Sequence, residues 1–153
     1  MAAPVVAPPA EPLTRSRAKA LVAYVGLSGF FILGVWVAFL LAGHGVFGLN
    51  HHDLSAANQH LQDQKVLDAH RVVGMLLGFV ALFSLIAVAI ARPGRNLVIG
   101  QVVLLLLAAV GQEAFAGGGE NHSWLGGLHV LNAGIILVLS FWLHLAARKV
   151  PRA

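Results

Sequence analysis

The sequence contains no cysteine. Disulfides, thiolate zinc sites, iron–sulfur clusters and covalent c-type haem attachment are therefore excluded within the chain. Charge is scarce too: 10% of the 153 residues are charged, against 58% hydrophobic. With a mean hydropathy of +0.81, the chain is too apolar for a water-soluble domain of its length. Nucleotide-binding glycine motifs, a nucleophile elbow and paired catalytic carboxylates are also missing, which weighs against an enzyme.

What remains is four apolar runs: Leu21 to Ala42, Val72 to Ala91, Leu97 to Ala116 and Trp124 to Ala147, with Glu113 their only charged residue. At about 1.5 Å per residue each is long enough to cross a hydrocarbon core of roughly 30 Å. A helix satisfies its own backbone hydrogen bonds in lipid, and the runs lack the polar–apolar alternation of barrel strands. The expected fold is all-α, an integral membrane four-helix bundle in the bilayer over residues 20–148.

The net charge of +4 reflects span flanks and not a nucleic-acid surface. One side carries Arg15, Arg17, Lys19, Arg92, Arg95, Arg148, Lys149 and Arg152, the other only Lys65 and Arg71. Eight against two puts both chain ends in the cytoplasm, in a multi-pass protein of the cell membrane, for a bacterium the inner membrane. The Ala- and Pro-rich start through Pro12 reads as part of a disordered cytoplasmic tail over residues 1–19, residues 149–153 as a second tail, and the first span as an uncleaved anchor. Pro93 and Gly94, between Arg92 and Arg95, predict a tight antiparallel hairpin of the second and third spans. In the long outer connection, Asp53 or Ser55 could cap a helix through Ala56, Ala57, Leu61 and Val66 that runs into the second span.

Eight histidines are many for so apolar a chain. His44, His51, His52, His60 and His122 fall in or beside outer loops, and His144 falls near the inner interface, four residues before Arg148. His70 and His129 differ. His70 lies 22 residues from Arg92, about 33 Å along a helix, and His129 lies 19 residues from Arg148, about 28 Å. They share a depth near the outer face, on the second and fourth helices, which can face each other across a bundle whose odd helices close the sides. Two neutral imidazoles so placed are what a b-type haem needs for axial ligation. His70, Gly74 and Gly78 form a small-residue face, as do Gly126, His129 and Ala133, with Asn132 close to His129. Arg71 at the rim suits a propionate.

Plain alternatives stand beside that reading. A histidine opening a span can serve the interface, and small-residue stripes can serve helix packing. Gln101 and Gln112 on the third span, eleven residues apart, share a helical face; they could bond neighbouring helices, or Gln112 and Glu113 could serve an outer quinone or proton site. The outer histidines with Asp53 could bind Cu²⁺ or Zn²⁺, or simply be solvated.

The strings Asp68-Ala-His-Arg-Val-Val-Gly74 and Leu128-His-Val-Leu-Asn-Ala-Gly134, with Gln101 and Gln112 between them, resemble an uncharacterised bacterial family of small four-helix membrane proteins over roughly Leu21 to Arg148. A more distant similarity is to one four-helix half of haem A synthase, in which a His-Arg pair opens the second helix and a histidine near the outer end of the fourth completes a haem site. Carried over, it implies His70 and His129 as ligands and Arg71 as the rim residue. The synthase pattern has a Glu three residues before its His-Arg pair, where this chain has Leu67, and two bundles where this chain has one. The resemblance thus implies haem binding, with synthase activity only in a homodimer. Electron transfer or haem handling, beside a quinone or within a larger membrane redox complex, is the leading expectation; a cofactor-free accessory or structural role is the other, and transport of a proton or metal ion by way of Glu113 and the outer histidines a third.

Overall fold

A computed structural model of the protein describes residues 13–48, 56–119 and 121–151. The expectations about the tail before Leu13, His51, His52, Asp53, Ser55 and Arg152 lie outside those residues.

The apolar runs form four long helices: α1, Arg15–Gly48; α2, Ala56–Ala91; α3, Arg95–Gly119; and α4, Ser123–Arg148. Each contains a stretch long and apolar enough to cross a membrane, at Arg15–His44, Leu67–Ala91, Arg95–Gly119 and Ser123–Arg148. The protein is an all-α, multi-pass membrane bundle. α1 and α2 have 34 and 36 residues, about 50 Å each, and outrun a hydrocarbon core of roughly 30 Å. The excess lies at the end away from the basic residues, and the helix expected from Ala56 onward is continuous with the second span.

Only three residues, Arg92, Pro93 and Gly94, join α2 to α3. Gly94 has φ 153° and Arg92 φ 49°. The first is the freedom expected of glycine; the second places a bulky side chain in the left-handed region. The expected tight hairpin is present.

α1 packs on α2 and α4, and α3 packs on the same two, whereas no described Cα of α2 comes within 8 Å of one in α4. The second and fourth helices therefore face each other across the bundle, with the odd helices closing the sides. Large apolar residues such as Phe30, Leu40, Phe79 and Val138 face outward, as lipid-facing positions should. The core is built from Leu21, Phe31, Leu77, Val88, Leu104 and Leu143 with their neighbours.

α3 is not a regular helix. Its residues Leu106–Gly111 form a π-helical segment between α-helical Arg95–Leu105 and Gln112–Gly119. A π segment takes in an extra residue, which turns everything beyond it by roughly 100°. Gln101 and Gln112 consequently do not share a face, contrary to their spacing. Gln101 is buried against α1 and α2, accepting from the Tyr24 hydroxyl at 3.1 Å and donating to the Ala81 carbonyl at 3.1 Å. Gln112 turns instead to α4, where its Oε1 accepts from Asn132 at 2.8 Å.

Candidate functional site

His70 and His129 reach toward each other from the two helices that do not touch. Their ring centroids stand 6.1 Å apart with planes inclined by 70°. Each ring is tied back by a side helix: His70 Nδ1 lies 2.9 Å from the Ala38 carbonyl oxygen of α1, and His129 Nδ1 lies 3.2 Å from the Gln112 carbonyl oxygen of α3. A carbonyl can only accept, so Nδ1 must carry the hydrogen in both rings. In the neutral imidazole that leaves the Nε2 lone pair as the free donor on each.

The surroundings fix one half of this pair closely. Asn132, one turn beyond His129 and 4% exposed, donates from Nδ2 to the Leu107 carbonyl of the π segment at 3.0 Å as well as to Gln112 Oε1. Gly111 makes room for it, since a Cβ there would stand 3.2 Å from Asn132 Nδ2. The π turn, Gln112, Asn132 and His129 thus form one hydrogen-bonded unit. On the other half the distinguishing feature is space. A Cβ added at Gly74, one turn after His70, would meet no atom within 4 Å, and the same holds at Gly126, Gly127 and Gly134 on α4. Gly78 does approach a neighbour, with Ala109 Cβ at 3.9 Å from such an atom.

No family model, curated protein or solved structure matches the chain. Function has to be argued from these residues and their chemistry.

Arg71 sits at the histidine end, half-exposed, its guanidinium 3.9 Å from the Asp68 carboxylate one turn back. An exposed pair of that length contributes little stability. His44 and His122 are exposed, and the side chain of His60 lies outside the described residues. Among the described residues no group of three or more His, Asp and Glu side chains is close enough to hold a metal ion. Glu113 is exposed on the outside of α3 while Gln112 points inward, so those neighbours do not form one site.

Two features escape a reading of the sequence. One is the π segment, whose residues are all apolar or small. The other is His144, which is half-buried and bonded to Ser28 Oγ of α1 at 2.9 Å. Ser28 has a single hydroxyl hydrogen and also lies 3.0 Å from the Val25 carbonyl. The adjacent Gly29 leaves His144 Cε1 room, at 3.5 Å from where a Cβ would be; that Ser-Gly pair facing a histidine was the available signal.

Proposed function

We propose that the protein is a small membrane haem b protein, in which His70 and His129 would hold the haem near the outer face, that passes single electrons or holds haem. The observation that carries this reading is the close, tied-back imidazole pair. With metal–nitrogen bonds of about 2 Å, each ring centroid stands roughly 3 Å from a shared metal, so ligands on opposite sides are on the order of 6 Å apart and tetrahedral ones on the order of 5 Å. The 6.1 Å separation fits the opposed arrangement. Metal-bound histidines characteristically donate their other ring N–H to a carbonyl or carboxylate, which fixes tautomer and orientation. Both rings have that partner.

Haem b, when bound, supplies a one-electron iron couple whose potential depends on its ligands and their hydrogen bonds. The chain's own part is to keep a hydrogen on each Nδ1 and to fix the rings from the sides by α1 and α3. Gly74 leaves the ligand helix bare beside His70, and Asn132 positions His129 through Gln112. Arg71, at the rim, is the cation suited to a propionate carboxylate.

The test is a reduced-minus-oxidised spectrum of the purified protein after haem supplementation. A b-type α band that disappears in His129→Ala is expected. No band, or an unchanged band in that variant, overturns the proposal. A second reading makes the histidines inter-helix fasteners, since the Nδ1 bonds already join α2 to α1 and α4 to α3. It predicts that His70→Ala and His129→Ala lower stability in a protein without a chromophore.

A further inference from the structure

The opposite end of the bundle gathers cations for which no acidic partner is found among the described residues. Two shallow grooves meet there and share Arg17 and Arg92. The first, about 580 Å³, runs up the outside of α2 over Ile86, Ala89 and Ile90, with Ser16 at its head. The second, about 430 Å³, opens over the bundle end and adds Lys149. α1, the α2–α3 turn and the end of α4 each supply one cation. No acidic residue is described at that end, the first turns of α1 and α3 contain none, and α3 has no side-chain cap. Helix N-termini favour negative charge, yet these two carry Arg15, Arg17 and Arg95.

Arg92 adds an independent sign. It holds φ 49°, a conformation natural to glycine and costly for a residue with a Cβ. Glycine would serve the turn better, yet an arginine stands there. The floor of the first groove is apolar, and Ile86 and Ile90 are 47% and 55% exposed on the lipid side of α2.

We infer that the grooves around Arg17 and Arg92 bind one anionic phospholipid of the cytoplasmic leaflet, its phosphate at the arginines and an acyl chain along Ile86, Ala89 and Ile90. The positive-inside rule puts this end at the cytoplasmic surface, where anionic headgroups lie. Lys149, reached through the second groove, suits a headgroup with further negative charge. The site lies at the far end from His70 and His129 and is independent of haem.

Native mass spectrometry of the full chain in neutral maltoside detergent, titrated with phosphatidylglycerol, phosphatidylcholine or inorganic phosphate, tests this, with lipid-dependent thermal unfolding as second readout. Phosphatidylglycerol should give a one-to-one adduct and raise the unfolding midpoint; the other two should do neither. Each cation removed should weaken the adduct about fivefold, so R17Q/R92G should nearly abolish it, while R15Q/R95Q, with the same loss of charge outside the grooves, should keep it. R92G alone relaxes the backbone, so it should hold its lipid-free midpoint and still bind about fivefold more weakly. Equal binding of phosphatidylcholine, a phosphate effect matching that of the lipid, or equal losses in the two double variants would overturn the site.

Discussion

The two halves of this bundle are built differently. Toward the basic end the helices are packed through: buried residues run from Leu21 to Val35 on α1, Leu77 to Ala91 on α2, Leu97 to Leu104 on α3 and Asn132 to Ala147 on α4. Toward the histidine end Asn132 is the last buried side chain, and the π segment and the α-helical stretch after it contribute no core residue. At Gly34 and Gly100 a Cβ would run into Leu77 and Leu143 at 2.5 and 2.7 Å; at the histidine end Gly118 and Gly119 are as tight, at 2.6 and 3.0 Å from Leu125 and Gly126, but at Gly74, Gly126 and Gly134 a Cβ would meet nothing. One half supplies the dense packing that makes a fold specific. The other brings two tied-back imidazoles to 6.1 Å from each other across helices that do not touch.

The strongest way to break this contrast is to damage each half and read both properties. His70→Ala or His129→Ala should remove the b-type band entirely while leaving helix content intact. Leu143→Ala, at a side chain with no exposure, should cost about 2–5 kcal/mol in unfolding measurements and leave the band position unchanged. Val130→Ala, on a residue 63% exposed one position after the proposed ligand, should change stability by less than about 0.5 kcal/mol. Were Leu143→Ala to shift the band as strongly as a ligand variant, the two halves would not be separable.

A smaller effect is expected from the polar part of the packed half. The Tyr24 hydroxyl, Gln101 and the Ala81 carbonyl join three helices through two bonds. Gln101→Leu keeps the volume and removes both. Hydrogen bonds between membrane helices are worth about 0.6 kcal/mol on average and at most about 1.7, so a loss of roughly 1–2 kcal/mol should appear in detergent unfolding. Tyr24→Phe should lose less, because Gln101 keeps its bond to Ala81. Equal losses would mean that the tyrosine hydroxyl carries the whole effect.

The sequence made the coarse frame legible because that frame rests on additive properties. Hydropathy and length find four spans, the Arg92–Arg95 turn pairs α2 with α3, and counting from the basic anchors sets His70 and His129 at one depth. Their approach across the bundle follows from depth and helix order alone. Local backbone events were not legible. Leu106-Leu107-Ala108-Ala109-Val110-Gly111 looks like any other lipid-facing run, and only the partners of Gln112 and Asn132 reveal that the helix is widened there. The shared face assigned to Gln101 and Gln112 failed for that reason. Which carbonyls would receive the histidine Nδ1 atoms was equally hidden, since it depends on how α1 and α3 are set against the ligand helices. Pro93 and Gly94 announced a turn, but nothing announced that Arg92 would adopt a left-handed conformation beside them.

The finest distinction concerns what the space at Gly74 is for. Gly119→Ala would bring a Cβ to 3.0 Å from the Gly126 backbone, a contact that only a helix shift relieves, and should destabilise by about 1–3 kcal/mol. Gly74→Ala has nothing to displace and should leave apoprotein stability within about 0.5 kcal/mol of the parent. A slot and a lipid-facing groove would answer alike up to that point, and a larger side chain separates them. Gly74→Leu should also leave the haem-free unfolding curve nearly unchanged, but in a slot beside His70 it competes with the macrocycle, so haem titration should show weaker binding although both histidines remain. If Gly74→Leu binds haem as tightly as the parent, the open face of α2 belongs to lipid and the haem must approach His70 from another side.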